Sequence, residues 1–355
     1  MGLCGVSPNG YVAPALLRHN HNVMKHRIWL LALGFVCAPV SAADLRIGII
    51  GTDTSHATAF TRLFNDPNDK NHVPGGRVVA AFKGGSPDIE SSWSRVDRYA
   101  EELQTKYGVK IVDSIEALCR EVDVVLLESV DGRPHLAQAR PVLRARKPMF
   151  VDKPVAGSLR DVFEIYRLAR ANNVPVFSSS AYRFYDSMRA LQVAKTGRIR
   201  GAVSYGPCYT EPHHPDFFWY GIHATEALFT VMGRGIQTVA RTTTADTDVA
   251  VGTWADGRTG VFYGLRGNAL PHKVIVFGND AVVEQAEGED SYAPLVREIM
   301  KFFQTGVAPV PPEDTLEIYA FMEAADESKR RGGAPVKIAD VVRKHRGTDL
   351  LPARR

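Results

Sequence analysis

The sequence predicts an α/β chain of two domains, a doubly wound parallel sheet followed by an α+β unit whose sheet is mainly antiparallel. Three observations carry this expectation. From Asp44 to about Ser180 strand-like and helix-like patterns alternate, and the run Val122–Val130 (VDVVLLESV) is almost wholly apolar, as a strand covered on both faces must be. After Tyr182 four or five strands follow in quick succession, linked by hairpin signals at Asp256-Gly257 and Gly278-Asn279-Asp280. The 355 residues suit two domains, and 45% hydrophobic with 23% charged composition is ordinary for a globular chain with a sizeable core.

Residues 1–42 stand outside the pattern. From Met24 the chain reads MKHRIWLLALGFVCAPVSA, with a basic start, an apolar middle and a small-residue end. This is the layout of a secretory signal, with translation expected from Met24, cleavage after Ala42 and an exported, periplasmic or secreted product. A true N-terminal extension and an uncleaved anchor are the alternatives. The apolar middle is short for a bilayer span, so no stable span is expected after processing. Lys25, His26 and Arg27 make no twin arginine, which points to export of the unfolded chain. Cleavage removes Arg18, Lys25 and Arg27 and no acid, taking the net charge from +4 to +1. No basic field then remains to attract nucleic acid. Cys119 and Cys208 are left, and two buried unpaired thiols are expected rather than a disulfide.

Residues 43–181 make the first expected domain. A strand ending at Gly51 precedes an amphipathic helix, then come the strand Arg77–Phe82, the loop KGGSPD and a helix closed by Gly108. Next are a short strand at Lys110–Val112, a helix around Ile115–Cys119, the apolar strand and a helix from Pro134 to Arg144. The strand PMFV leads to Asp152-Lys153-Pro154. Ser158, three residues before Asp161, caps a further helix, and VPVFSSS supplies a sixth strand. Right-handed crossovers wind such a series into one sheet with its site at the carboxyl strand ends.

Residues 182–342 make the second. A strand at Ala202–Tyr209 leads through TEPHHPDFFWYGIH into one helix ending near Gly233, followed by the strands IQTVARTTT, DVAVGTW, TGVFYGLRG, HKVIVFG and AVVEQ. Helices over Tyr292–Phe303 and Pro312–Arg331 close the unit, the latter with Glu313 and Asp314 in its first turn and Gly332-Gly333 as its stop. Residues 343–355 are read as a tail.

The stretch Leu45–Phe64 (LRIGIIGTDTSHATAFTRLF) holds the main candidate site. Strand, sharp turn and helix start are the layout of a dinucleotide-binding elbow. Taking Gly51 as the first glycine of G-x-G-x-x-G places Asp53 at the second and His56 at the third. The second glycine lets backbone approach a diphosphate, so Asp53 adds a side chain and a negative charge there. Thr52, Thr54 and Ser55 offer hydroxyls, and a helix N-terminus favours an anion. Alternatively Asp53 is only the helix N-cap.

Three motifs in order, IGIIG, then VDGRPHLAQARPVLRARKPMFVDKP, then GIHATEALFTVMG, together resemble the Gfo/Idh/MocA oxidoreductases over Ala43 to about Val342. The resemblance implies an N-terminal Rossmann domain, a C-terminal α+β domain with an open-faced sheet, and oxidation or reduction of sugars, polyols or related small molecules with NAD or NADP. It implies homo-oligomers paired through the open sheet. It places the family's E-K-P motif on Asp152, Lys153 and Pro154, with Lys153 binding the substrate hydroxyl and assisting proton transfer and Asp152 orienting it. The family's second-domain histidine falls on His223, as acid or base. A surface lysine and a buried, backbone-satisfied histidine are the plain alternatives. Two relatives' aspartates are replaced here by Trp219 and Glu226.

On the cofactor side the candidates are Gly51, Thr52, Asp53, Thr54, Ser55, His56, Glu128 and His135. Lys83 stands where an acid for ribose hydroxyls is usual, and a cation there suits the 2′-phosphate of NADP. The substrate side is assigned to Tyr182, Arg183, His213, His214, Trp219 and Tyr220, where aromatic rings can stack on a sugar. His213 and His214 also read as solvated loop residues, and the run Phe217–Tyr220 as core.

Without a dinucleotide, Asp53, Glu128, Asp131 and Asp152 near His56 and His135, with Glu211, His213, His214, Asp216 and His223, could bind a sugar or a divalent ion. Their spacing defines no metal site and matches no zinc pattern. The competing functions are therefore a redox-silent carbohydrate lyase or hydrolase, metal-assisted or with trapped NAD, and a non-catalytic sugar-binding protein.

Overall fold

The structure, a computed structural model, describes residues 43–267, 271–288 and 291–346. The signal expected over residues 1–42 and the tail from 347 onward lie outside them. The first unit runs β1 (Leu45–Ile50), α1 (Ser55–Asn65), β2 (Gly76–Phe82), α2 (Glu90–Trp93), α3 (Val96–Tyr107), β3 (Lys110–Val112), α4 (Ile115–Glu121), β4 (Val124–Leu127), α5 (His135–Arg144), β5 (Met149–Val151), α6 (Leu159–Ala171) and β6 (Val176–Ser178). Its six strands pair in parallel in the order β3-β2-β1-β4-β5-β6. Chain order runs outward in both directions from the β1/β4 pair, so the carboxyl ends of these two strands flank the crevice where such sheets bind ligands.

Local chemistry explains the boundaries. Ile47–Ile50 and Val124–Leu127 are buried throughout because helices cover both faces of the sheet. Thr54, Ser114 and Ser158 cap α1, α4 and α6 through their hydroxyls, and α3 stops at Gly108, whose φ of 69° suits glycine. β4 is shorter than the apolar run Val122–Val130 predicts. The chain leaves the sheet at Glu128, and residues 128–131 line the crevice instead.

A 3₁₀ turn at Ala181–Phe184 contains the expected domain break between 181 and 182. The second unit continues α7 (Asp186–Gln192), β7 (Ile199–Pro207), α8 (Asp216–Tyr220), α9 (Ile222–Met232), β8 (Ile236–Thr243), β9 (Thr247–Trp254), β10 (Thr259–Leu265), β11 (Lys273–Gly278), β12 (Val282–Glu284), α10 (Ala293–Thr305), α11 (Pro312–Arg330), β13 (Val336–Lys337) and α12 (Ile338–Arg346). Its seven strands take the order β12-β11-β7-β10-β9-β8-β13, antiparallel except for the β7/β10 pair. The single helix expected before Gly233 is two, α8 and α9, divided at Gly221. α12 runs through residue 342, so the expected start of a tail at 343 is not a structural boundary.

Burial alternates along β9 and β10, as in a sheet packed on one face. The packed face lies against α8, α9 and α11, where Phe217 meets Phe262 and Phe321, and Phe229 meets Trp254 and Phe321. Val251, Tyr263 and Phe277 are exposed on the other. α11 also reaches the first unit: the Tyr319 hydroxyl accepts from Val155 N at 2.6 Å, tying the segment after β5 to this helix. Among the described residues no helix is long and apolar enough to cross a membrane. Cys119 and Cys208 are free and buried, and burial pushes their thiols up to about 11 and about 12, so they are inert.

Candidate active site

The elbow after β1 is a tight turn. Gly51 has φ 97°, and a Cβ there would lie 2.4 Å from Ser129 N, so only glycine lets this turn press on the loop after β4. Thr52 is spent internally, its hydroxyl donating to Val96 O at 2.9 Å. Asp53 is fully buried, accepting from Ser92 Oγ at 2.6 Å and from Val130 N at 3.2 Å. Burial raises its carboxyl pKa, against these two hydrogen bonds. Asp53 is not the helix cap considered for it; Thr54 is, taking His56 N. Ser55 is the exposed hydroxyl of the turn.

The chain's own residues 83–93 cover this elbow. Ser86 Oγ donates to Asp131 Oδ2 at 2.6 Å, and Arg133 forks onto Asp88 with two bonds of 2.8 Å while also holding Asp131. With Ser92 on Asp53, these bonds lace the segment to the loop after β4. Gly51 through Thr54 are all buried as a result. A dinucleotide's diphosphate has to approach that backbone closely. Here residues 83–93 lie over that approach, with the acidic groups Asp53 and Asp131 beneath them.

Four further candidates on the cofactor side have partners within the chain. His135 has Nε2 2.8 Å from Ser129 O and Nδ1 3.1 Å from Val155 O, so it braces the loops after β4 and β5 and keeps no nitrogen for a ligand. Lys83 pairs at 2.7 Å with Asp97 on α3. His56 and Glu128 point into a different cluster. His56 Nδ1 lies 2.7 Å from Asp152 Oδ2 and 3.9 Å from Glu128 Oε2, its ring stacked on Phe60 at 5.2 Å and edge-on to Tyr292 at 4.6 Å. Burial and then the Asp152 charge raise the Glu128 carboxyl pKa well above its ordinary value. Against the same burial, His56 and then Lys153 hold Asp152 below its own.

Lys153 follows at the carboxyl end of β5, half-buried, its peptide to Pro154 cis. Its charge acts on Glu128 and Asp152 of the first unit and on His223 of the second. His223, in the first turn of α9, is buried, with Nδ1 2.8 Å from Ser180 Oγ. Burial first, then the charges of Lys153, His272 and His56, push its imidazole well below the ordinary value, so it is neutral at pH 7. Tyr182 and Tyr220 flank it edge-on, with ring centroids 5.1 and 4.9 Å away.

Glu226 fixes this geometry by accepting from Ser180 N at 2.8 Å, from Arg183 Nε at 2.7 Å and from Ser179 Oγ. Arg183, assigned to substrate, is thus first a partner of Glu226, with Nη2 still unbonded. His213 is a solvated loop residue beside Glu211, its side chain 54% exposed. His214 is buried, donating from Nδ1 to Pro215 O at 3.0 Å with Nε2 3.7 Å from Asp131, and its ring meets Trp219 at 5.1 Å. Sequence reasoning missed Ser180, His272 and Tyr292. None sits in a recognisable motif; distant segments deliver them.

His272 lies against Tyr182, with centroids 4.2 Å apart, and burial pushes its imidazole down to about 4. The unfolded chain takes up a proton near pH 6.5, whereas the folded chain does so only near pH 4. Stability from this group is therefore full above the unfolded value and lost as pH falls toward 4. The loss amounts to about 3 kcal/mol for a shift of this size. Urea unfolding at pH 7 and pH 4.5 should show a smaller acid loss for His272→Gln than for wild type; equal losses would contradict it.

The family model for oxidoreductases with an NAD-binding Rossmann fold, GFO_IDH_MocA, matches residues 45–180. A Streptococcus pneumoniae protein described as an uncharacterized oxidoreductase is 25% identical over 165 residues, 40% of this chain and 43% of its own length. The chain thus matches under half the length of that curated relative. The structure of myo-inositol 2-dehydrogenase from Lactobacillus plantarum is similar with a TM-score of 0.69 at 17% identity, covering 83% of this chain and 99% of its own. Scyllo-inositol dehydrogenase from Lactobacillus casei, solved with NAD(H) and scyllo-inositol, gives 0.68 at 15%, covering 84% and 100%. At such identities the likeness establishes the two-sheet fold. Residues 45–180, which make up the first sheet and elbow, are thus similar to the Gfo/Idh/MocA oxidoreductases with their NAD-binding Rossmann fold.

Proposed function

We propose that the chain is an NAD(P)-dependent oxidoreductase of a sugar, polyol or related small hydroxy compound, with Lys153 and His223 handling the proton of the reacting hydroxyl. The observation that carries the reading is the buried His223 of α9, bonded to Ser180, flanked edge-on by Tyr182 and Tyr220 and under the charge of the half-buried Lys153 that follows β5. A neutral imidazole accepts the hydroxyl proton, Ser180 orients it through Nδ1, and the Lys153 charge stabilises the developing alkoxide. The NAD(P) assignment rests on the family's fold, and the inositol dehydrogenases of like fold support the polyol class.

Export with processing after Ala42, and pairing of two copies over the exposed face that carries Val251, Tyr263 and Phe277, belong to the same proposal. A second reading, a redox-silent carbohydrate lyase or hydrolase, is favoured by one observation, the covered elbow. Native mass spectrometry of protein purified from its own compartment separates them. The expected species is a dimer of chains beginning at Ala43 that takes up NAD or NADP and turns over inositols or sugars. A chain that takes up neither nucleotide, yet cleaves a glycoside, would sink the oxidoreductase reading.

A further inference from the structure

We propose that His56, Glu128 and Asp152 form a site for one divalent transition-metal ion of the Zn²⁺ or Mn²⁺ type. One ligand atom from each lies within 4.8 Å of the others, and all three residues are buried. Their spacing in sequence, on the first turn of α1 and just past β4 and β5, gives no hint of the grouping.

The cluster is unusual in what it leaves undone. Neither Glu128 oxygen has a hydrogen-bond partner although the residue is 0% exposed, and Asp152 Oδ1 is likewise unbonded. His56 Nδ1 also lacks a hydrogen bond, although Asp152 Oδ2 is only 2.7 Å away. Buried polar atoms cost about 1–3 kcal/mol each when unpaired, more when charged, so native proteins seldom gather four in one place without a ligand. A cation resolves all of them at once. Two carboxyl groups and an imidazole are the donors a divalent ion takes, and ligand atoms bound at about 2.1 Å sit roughly 3 Å apart, which the cluster reaches with small side-chain rotations.

The donor set selects the ion. Imidazole favours zinc and its neighbours, carboxylates tolerate manganese, and both thiols of the described chain lie elsewhere. Three protein ligands leave coordination positions open, the arrangement of a reactive ion rather than a structural one. Use of those positions by a substrate hydroxyl rests on the function proposed above. Binding of the ion does not.

The test uses mature protein stripped with a chelator and titrated calorimetrically with Zn²⁺ and, separately, with Mn²⁺. One equivalent of at least one ion should bind with a Kd in the micromolar range or below and raise Tm. Glu128→Gln should weaken binding by about 100-fold or more, a loss at the upper end of what even outer-shell substitutions cause. The metal-free variant should melt no lower than wild type, because an unpaired buried carboxylate has gone. His56→Gln should lose the same affinity from a different element. Failure of both ions to bind or raise Tm, or wild-type affinity in Glu128→Gln, would overturn the site. Metal binding without polyol turnover would keep the site and discard the oxidoreductase reading; turnover with no metal binding would do the reverse.

Discussion

On the function proposed above, replacing Lys153 by alanine should lower kcat for oxidation of a sugar or polyol by about 10³-fold, roughly 4 kcal/mol of transition-state stabilisation. The loss falls mainly on kcat because the ammonium matters most when negative charge develops on the hydroxyl oxygen. Lys153 is half-buried, so its removal leaves the core intact and Tm nearly unchanged, which separates a chemical role from a structural one. A second readout is independent of rate. The Lys153 charge is among the influences that hold the His223 imidazole down, so its removal shifts the acid limb of the kcat/KM profile to higher pH. A Lys153→Ala chain with wild-type kcat and an unmoved acid limb would end the catalytic assignment.

Arg241→Ala should destabilise the second unit by about 3–5 kcal/mol, the usual cost of breaking a buried ion cluster from one side. Arg241 is 1% exposed on β8 and serves three carboxylates: Asp248 Oδ1 at 2.7 Å, Asp326 Oδ1 at 2.5 Å and Asp216 Oδ2 at 3.3 Å. Its guanidinium also lies 4.6 Å from the ring of Phe217. These partners belong to β9, α11 and α8, so one side chain joins the sheet to the helices that cover it. Removing it leaves Asp248 with Arg266 and Thr243. Asp326, already pushed up to about 7 by burial despite Arg241 beside it, loses the main influence holding it down. Asp326 then takes a proton, which limits the cost near neutral pH and enlarges it above. Arg241→Met with Asp326→Leu should recover much of the loss, since well-packed apolar replacements of buried pairs are often neutral. Urea midpoints for the single and double variants measure this; a single-variant loss under about 1 kcal/mol would contradict the cluster's role.

Arg241, Asp248 and Asp326 do not stand out in the sequence, where they read as ordinary strand and helix charges, and Asp216, a candidate ligand there, is instead a partner of Arg241 and Lys329. The first sheet was legible because period and punctuation are local: the apolar runs of β1 and β4, the Ser158 cap and the Gly108 stop each depend on a few neighbouring residues. Where the reading slipped, a nonlocal contact had decided the outcome. The run Val122–Val130 looks like one strand, yet Val130 N turns to Asp53 and Ser129 O to His135, so the ladder ends at Leu127. The elbow was identified, and so was the anomaly of Asp53. Its resolution lay in Ser92, well along the chain on α2.

The same division holds for the site. Asp152-Lys153-Pro154 and His223 are candidates through the family resemblance, and the structure puts them where the sequence pattern expects a strand end and a helix start. Order along the chain also foretold the doubly wound sheet and the antiparallel one after it, as turn and strand preferences act over a few residues and crossover handedness leaves few alternatives. What the linear order could not contain is which distant loops meet. The cover over the elbow, the pairing of Ser180 with His223 and the convergence of His56, Glu128 and Asp152 arise only when β1, β4 and β5 are side by side, because burial and proximity, not residue type, turn these groups into partners.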